Sequence, residues 1–581
     1  MKRIDFILAV GVIPAVAILS FGQVWSIHDV IWDDNCWVLS VYASANLREF
    51  LGTAFVELRR EQLGVFLYYL IALHKSTNSF YVVVHTINLG TQIFSPVLLY
   101  FLVRNLFNGQ RLLALFVALG FTAFPLDHEL PHVSGMNYRI GLLLAIASLY
   151  GTERALAGGH LRRVPMLLAL GCAILSYYVF IEATISLEIG RLALVVYMLR
   201  RRGSSPRDLV REVLLYWAPF CVPIIPLALY KLLYRPYGIY QGTYETDPLF
   251  FLDYERVFKA VAHVAYFPWI ALLKDLHYAS IWSVMMAIIA GGLSLALLKK
   301  LPAIVDGDAG RAGRDAQNSL ASQGIVQEKI RVPRAFLVLG IAFLVPPACL
   351  FLYAKQPLAG SGFSAHAAML QIGSAFLIGS ALHGLYSLAI SSSGKRRACM
   401  FLLGLILSLG VFFNNINLDL YRDSWVHQDR FWQAFVARFP SLPEKALFFF
   451  DVEDGAYYSD LRNPYDFELH LNLLYATTTD PAHFHKYSVY TKQEFVRRFV
   501  MSSKTEESFE RIQRESQHWG REHLDPRLFI AVRYRENELL VNREILGRYP
   551  NMEYGVWADK DFPALPQPAG YVLRHKLEGF H

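Results

Sequence analysis

Charged residues are scarce in this sequence. Only 18% of its 581 residues are Asp, Glu, Lys or Arg, whereas soluble domains contain about 25%. So few charges could not cover the water-facing surfaces of several soluble domains. A hydrophobic content of 54% and a mean hydropathy of +0.31 also exclude an intrinsically disordered chain. The composition therefore predicts an α-helical, multi-span membrane protein.

Cysteine is also rare, and several catalytic motifs are missing. The chain has five cysteines, and their odd number and wide spacing exclude a disulfide framework and a CxxC metal site. No P-loop, GxGxxG, GxSxG or HExxH pattern occurs in a suitable context, so ATP-driven transport and serine or zincin hydrolysis have no support. The net charge of +7 is modest and indicates cytoplasmic Lys/Arg bias, with no nucleic acid as partner.

Long apolar runs are the main feature of the first 415 residues. A run of about 20 apolar residues is long enough to cross a bilayer as a helix. The stretch between Pro165 and Leu199 is interrupted by charged and polar residues, and its length fits two short spans better than one. With these two, the sequence predicts eleven spans, the others at 6–21, 79–103, 112–126, 139–157, 213–233, 280–298, 335–354, 366–390 and 398–415.

Basic clusters orient these spans. With a cytoplasmic N-terminus, all six Lys/Arg clusters between and beside the spans fall on the cytoplasmic side, as the positive-inside rule requires. The prediction is a multi-pass protein of the inner (plasma) membrane with a transmembrane domain over 1–415. Its first outer loop is 23–77 and its cytoplasmic loop is 299–334. The tail 416–581 is predicted to be a periplasmic α+β domain, with strand-like runs at 446–450 and 528–532.

A pair of adjacent acids lies in the first outer loop. Asp33 and Asp34 follow the first span by about a dozen residues. Two adjacent carboxylates repel each other, which raises the pKa of one of them and suits a general base acting on a hydroxyl. The alternative is a helix N-cap, where Asp is favoured.

The turn 124–132, between the third and fourth spans, carries Asp127, His128, Glu129 and His132. Ionisable groups beside hydrocarbon are unfavourable unless they are paired or lie in a wet cavity. This turn could hold a second acid, a substrate hydroxyl or a zinc ion, although consecutive residues point in different directions. A solvated turn is the alternative.

Cationic residues lie at the outer ends of two spans. Arg139 begins the fourth span, and its planar guanidinium would suit a ligand phosphate, although an arginine there could also snorkel to lipid headgroups. A second basic and aromatic patch at the end of the seventh span allows the same two interpretations, and it contains Lys231, Arg235, Tyr237 and Tyr240.

Charged residues also lie inside the predicted membrane region. Glu182, Glu188 and Arg191 could pair as a structural lock or line a route for substrate. His483 and His485 in the tail are weak candidates for metal ligands. No metal site is predicted.

The order of these features resembles the GT-C-fold glycosyltransferases, which use lipid-phosphate-linked sugars. One span followed by an outer loop with a paired acid matches their layout. The stretch from Phe124-Pro125 to Tyr138-Arg139 is similar to the loop before the fourth span in the protein mannosyltransferase-like branch. The start of the tail, Tyr421-Arg422-Asp423-Ser424-Trp425, looks like that of bacterial members. The resemblance covers roughly 1–440.

The resemblance implies an enzyme that moves a sugar from a polyprenyl-phosphate donor to an acceptor hydroxyl outside the cytoplasm. Asp33 or Asp34 would be the base, and Asp127 or Glu129 the second acid. Donor phosphate would be bound by Arg139, Lys231 and Arg235, and the substrate cavity would contain His128, His132, Tyr237 and Tyr240.

The implied partners are a polyprenyl-phosphate sugar, membrane lipids and a glycan, lipid or protein acceptor. No nucleotide or cofactor is implied, and a divalent metal is left open. This chain has Asp-Asp where protein mannosyltransferases have Asp-Glu, and its tail lacks their repeat. The alternative is a transporter, flippase or polymerase-like protein that handles polysaccharides or lipid-linked sugars. Such a protein would use Glu182, Glu188 and Arg191 to move substrate.

Overall fold

The structure is a computed structural model. It describes residues 3–27, 47–52, 65–72, 77–107, 110–124, 130–133, 135–158, 163–180, 182–233, 273, 276–314, 334–353, 368–391, 393–439, 442, 447–452, 467, 471, 475, 488–491, 529–535 and 538–541.

Helices account for most of the described residues. In chain order they are α1 (Ile4–Ser26), α2 (Leu47–Gly52), α3 (Val65–Ala72), α4 (Thr77–Leu106), α5 (Arg111–Ala123), α6 (Met136–Ala157), α7 (Arg163–Phe180), α8 (Glu188–Arg201), α9 (Pro206–Cys221), α10 (Ile224–Leu233), α11 (Ile281–Arg314), α12 (Arg334–Tyr353), α13 (Gln371–Ser391) and α14 (Ser393–Arg438).

Six of the described helices are long and apolar enough to cross a membrane: α1, α4, α6, α7, α13 and α14. Shorter apolar segments of α5, α11 and α12 match three further predicted spans. The expectation of an α-helical multi-span membrane protein is therefore confirmed. The total of eleven spans and their orientation stay predictions.

Two predicted boundaries differ from the structure. The run 213–233 is divided between α9 and α10, which meet at a turn that contains Pro223. Proline lacks an N–H, so Pro223 cannot donate the backbone hydrogen bond that would continue α9 through this position. In addition, α11 continues through residues 301–314, which the composition assigns to a loop. Once a helix has formed, each added residue gains a hydrogen bond, so it can extend into such a segment.

Contacts between α-carbon positions divide the chain into two compact units. The first comprises 1–24, 85–130 and 135–419, and the second comprises 25–84, 131–134 and 420–581. In the first unit, α13 packs against α5 and α12, and α6 packs against α7. Two glycines of α13 allow this approach. A Cβ at Gly379 would lie 2.9 Å from the backbone N of Val117, and one at Gly373 would lie 2.6 Å from that of Leu344.

The second unit contains a four-stranded sheet. Its strands are β1 (Leu447–Val452), β2 (Ser488–Thr491), β3 (Phe529–Arg535) and β4 (Glu538–Val541), in the order β2-β1-β3-β4. β1 pairs in parallel with β2 and β3, while β4 is antiparallel to β3. The strand-like runs of the tail are thus confirmed. Buried rings from the end of α14 pack on β1, with centroids 5.5 Å apart for Phe431 and Phe450.

Candidate active site

Only part of the predicted site lies within the described residues. Arg139 and His132 are described with their side chains. Lys231 lies in α10, where only its backbone is described. The other predicted site residues lie outside the described part of the chain, and their roles stay predictions: Asp33, Asp34, Asp127, His128, Glu129, Arg235, Tyr237 and Tyr240.

Arg139 lies in the first turn of α6, and its side chain is buried. Only 2% of its surface is exposed. A snorkelling arginine extends along the protein surface and holds its charged tip in water or among lipid headgroups. Burial of the whole side chain does not agree with that alternative. It agrees with a guanidinium held at a fixed place inside the protein, which is the requirement for binding a phosphate in two-pronged fashion.

Asn137, in the same turn of α6, is a buried amide that the sequence pattern did not single out. It is 4% exposed, and its Oδ1 accepts no hydrogen bond within the described part of the chain. Burying an acceptor in this way is unfavourable by about 1–3 kcal/mol. A ligand hydroxyl that donates to Oδ1 would recover this energy. In the sequence its only mark is that it is a polar amide at the start of an apolar span, which does not identify a site by itself.

His132 lies in the second unit and contacts the start of the tail. Its Nε2 lies 3.0 Å from the hydroxyl of Tyr421, and the two buried rings are nearly perpendicular. The next residue is also held, because the Tyr68 hydroxyl donates to the carbonyl of Val133 at 2.9 Å. Two motifs behind the family resemblance, the turn before Arg139 and the start of the tail, therefore meet at His132 and Tyr421. The place of His132 in a substrate cavity stays a prediction.

We expect His132 and Tyr421 to be energetically coupled. Tyr421→Phe and His132→Phe should each lower the free energy of unfolding, and the double variant should lose less than the sum. The coupling should be about 0.5–1.5 kcal/mol, the usual contribution of one hydrogen bond. The measurement is denaturant unfolding of the purified protein. Tyr475→Phe is the matched control, because its hydroxyl donates to a different acceptor, the carbonyl of Phe439. Additive losses for His132 and Tyr421 would show that the hydrogen bond contributes nothing.

Another buried polar cluster joins four helices of the first unit. Asn415 of α14 donates to the carbonyl of Leu19 in α1 at 2.8 Å, and Asn414 donates to the carbonyl of Thr122 in α5 at 3.3 Å. The Asp419 carboxylate accepts hydrogen bonds from the backbone N–H of Ser280, at 3.1 Å, and from the hydroxyl of Ser283. It thereby caps the start of α11. These contacts hold helices together, and they give the cluster a structural role.

Glu188 and Arg191 form an ion pair inside the first unit. Arg191 Nε lies 2.8 Å from Glu188 Oε2, and the Tyr177 hydroxyl also donates to the Glu188 carboxylate. The other two guanidinium nitrogens donate to side chains of α6. Nη1 donates to Thr152 Oγ1 at 2.6 Å, and Nη2 donates to Ser148 Oγ at 2.9 Å. All three nitrogens of Arg191 are therefore hydrogen-bonded to protein.

The same guanidinium also stacks on an aromatic ring. Its carbon lies 3.8 Å from the ring centroid of Phe220, a favourable cation–π geometry. Both charged side chains are buried. These charges could form a structural lock or line a route for substrate. The contacts favour the structural lock, in which Glu188 and Arg191 hold α6, α8 and α9 together. The side chain of Glu182 lies outside the described residues.

Within the described residues, no group of three or more His, Cys, Asp or Glu side chains is placed to hold a metal ion. Cys172, Cys221 and Cys399 are free thiols.

No protein-family model and no curated protein sequence matches this chain. Among solved structures, the chain is similar to the crystal structure of ArnT from Cupriavidus metallidurans bound to undecaprenyl phosphate. The two share 11% identity with a TM-score of 0.42, over 94% of this chain and 95% of that one. The functional proposal therefore rests on the residues of this chain.

Proposed function

We propose that this protein is an integral-membrane glycosyltransferase that moves a sugar from a polyprenyl-phosphate donor to an acceptor hydroxyl on the extracytoplasmic face. The observation that carries the proposal is the burial of Arg139 at the start of α6. Removing a guanidinium from water is energetically unfavourable. Buried guanidinium groups therefore occur where they bind an anion or a fixed set of hydrogen-bond acceptors. The resemblance of residues 1–440 to GT-C enzymes supplies the identity of that anion, a lipid-linked phosphate.

Phosphate is the leaving group in this reaction, and its stabilisation is the main electrostatic requirement. The bond between the anomeric carbon and the phosphate oxygen breaks, and both electrons remain on the phosphate. A fixed cation in a water-poor site stabilises this charge far better than a mobile, hydrated cation does. We assign this role to Arg139, with Lys231 and Arg235 assisting. No nucleotide is required, because the bond that breaks is already activated.

The acceptor hydroxyl must lose a proton as it attacks the anomeric carbon. We assign the proton acceptor to Asp33 or Asp34 and a second acidic role to Asp127 or Glu129. A positioned carboxylate commonly accelerates such a proton transfer by about 10²–10⁴-fold. The new bond joins the acceptor oxygen to the anomeric carbon, and the products are the glycosylated acceptor and a polyprenyl phosphate.

Sugar and acceptor hydroxyls need hydrogen-bonding partners in the substrate cavity. We assign these contacts to His128, His132, Tyr237 and Tyr240. Asn137 joins them because its buried Oδ1 can accept a hydrogen bond from a ligand hydroxyl. A transporter, flippase or polymerase-like function is less well supported, because Arg191 donates from all three nitrogens to protein acceptors.

Substitution of Arg139 tests the phosphate role. Arg139→Ala should weaken the binding of farnesyl phosphate, a short polyprenyl phosphate, by about 10–100-fold, which corresponds to the loss of one charge-assisted contact. Arg139→Lys should bind with intermediate affinity, because lysine keeps the charge but lacks the planar, two-pronged donor. The measurement is ligand-induced thermal stabilisation of the purified protein. Farnesol, which has no phosphate, serves as the ligand control.

Arg202→Ala is the matched protein control, since Arg202 is an exposed arginine just beyond the end of α8. It should bind farnesyl phosphate as the unsubstituted protein does. Equal affinities for the arginine, lysine and alanine forms at position 139 would remove Arg139 from the donor site.

A further inference from the structure

Gly135 immediately precedes α6 and is buried with it. Its carbonyl accepts the first hydrogen bond of the helix, from the N–H of Arg139 at 3.3 Å. Its backbone angles, φ −70° and ψ −15°, are ordinary right-handed helical values. Every L-amino acid adopts these angles readily, so the backbone does not require glycine at this position.

The space above Gly135 is occupied by the side chain of Arg139. A Cβ added to Gly135 would lie 2.7 Å from Nη1, 3.1 Å from Nη2 and 3.2 Å from Cζ of Arg139. Side chains of a helix point toward its N-terminus, so residue 139 lies over residue 135 one turn earlier. The three nearest atoms all belong to one guanidinium. The guanidinium of Arg139 therefore occupies the space that a side chain at residue 135 would fill.

Gly135 differs in this respect from four other described glycines of the first unit. At Gly373 and Gly379 an added Cβ would meet the backbone of another helix, so those glycines serve helix packing. At Gly90 and Gly171 an added Cβ would meet nothing within 4 Å. At Gly135 the obstacle is the far end of a flexible cation on the same helix. Any side chain at 135 would therefore displace the guanidinium and leave the helix in place.

We propose that Gly135 is a positioning residue, which sets the place of the Arg139 guanidinium for the donor phosphate. This inference rests on the proposed function and deepens it. A phosphate-binding group must be held within about 0.5 Å of its working position. A Cβ at residue 135 would lie only 2.7 Å from Nη1 of Arg139, and the guanidinium would have to move by at least about 0.5 Å to relieve this contact. The donor site thus requires glycine at position 135, because any side chain there would move the guanidinium.

The test is the affinity for farnesyl phosphate of Gly135→Ala and Gly135→Ser, each alone and combined with Arg139→Ala. Both glycine variants should bind about three- to tenfold more weakly, because a displaced guanidinium keeps only part of a charge-assisted contact. Serine is included because it is a good helix N-cap and alanine a poor one. A common loss in both variants therefore reports the added Cβ and excludes an effect on capping. Gly171→Ala, with open space at its Cβ, should bind normally.

The combination with Arg139→Ala separates positioning from general damage. Once the guanidinium is gone, Gly135→Ala should have no further effect on farnesyl phosphate binding. Parent-like affinity of both Gly135 variants, or a loss that persists in the Arg139→Ala background, would overturn the inference while leaving the proposed function intact. Parent-like affinity of Arg139→Ala itself would overturn both the inference and the phosphate role of Arg139.

Discussion

Replacing Glu188 by glutamine should lower the free energy of unfolding by about 3–5 kcal/mol, the usual effect of removing one partner of a buried ion pair. The substitution keeps the shape of the side chain but leaves the Arg191 charge inside the first unit without its carboxylate. Arg191 retains its hydrogen bonds to Thr152 and Ser148 and its stacking on Phe220. These neutral groups cannot balance a full charge in a medium of low dielectric constant. The measurement is unfolding of the detergent-purified protein by titration with SDS.

Two further variants define the origin of this effect. Glu212→Gln is the matched control, since Glu212 on α9 is only partly buried and accepts a hydrogen bond from Ser204 at 2.9 Å. It should change stability by less than about 1 kcal/mol. The double variant Glu188→Leu with Arg191→Met should recover most of the lost stability, because apolar residues of similar volume can replace a buried ion pair. A stable Glu188→Gln variant would contradict the structural lock.

The activity of the double variant distinguishes a transport function from the structural lock. If Glu188 and Arg191 line a substrate route, removal of both charges would abolish function even in a stable protein. If they form a lock, the double variant should retain its activity per folded molecule. The contacts of Arg191 favour the second outcome, since its nitrogens are hydrogen-bonded to protein groups of α6 and to Glu188.

Membrane helices were the most predictable part of this fold, because apolar length alone identifies them. The interruption predicted within residues 165–199 shows how far the pattern reaches. The polar residues Glu182, Thr184 and Glu188 indicated an interruption, and the structure has α7 ending at Phe180 and α8 beginning at Glu188. A 3₁₀ helix, Glu182–Leu187, lies between them.

Helix ends were less predictable, because hydropathy and helix formation do not stop at the same residue. The apolar run of the last span ends near residue 415, but α14 continues to Arg438. From the end of the apolar run, Asn414 and Asn415 donate to carbonyls of α5 and α1. Asp419 accepts from the backbone N–H of Ser280, just before α11. The last turns of α14 bury aromatic rings against β1. Both stabilising effects come from tertiary contacts, which a local pattern does not contain.

Site residues were predictable as residue types but not as contacts. The position of Arg139 at the head of a span was visible in the sequence, but its burial required the packing around it. The contact of His132 with Tyr421 joins residues 289 positions apart, and no local period relates them. Asn137 was missed because a single amide in an apolar run carries no motif, although its burial makes it chemically prominent.

Asn substitution of the paired acids should have the largest effect on activity. Asp33→Asn or Asp34→Asn, whichever removes the base, should reduce sugar transfer by about 10²–10⁴-fold, the usual contribution of a general base. Asparagine keeps the shape of aspartate and caps a helix equally well. The substitution therefore separates catalysis from capping, and expression and membrane insertion should be unchanged. Asp208→Asn is the matched control, because Asp208 is an exposed acid in the first turn of α9, bonded to Ser205.

The most direct test of glycosyl transfer uses purified protein in liposomes, with a panel of radiolabelled polyprenyl-phosphate sugars and hydroxyl acceptors and no nucleotide. The unsubstituted protein should release polyprenyl phosphate and label the acceptor in equal amounts. Asp208→Asn should match this rate, while the Asp33→Asn or Asp34→Asn variant should transfer at least about a hundredfold more slowly. If both Asp33→Asn and Asp34→Asn transfer sugar at the unsubstituted rate, the paired acids hold no base and the proposed mechanism is contradicted.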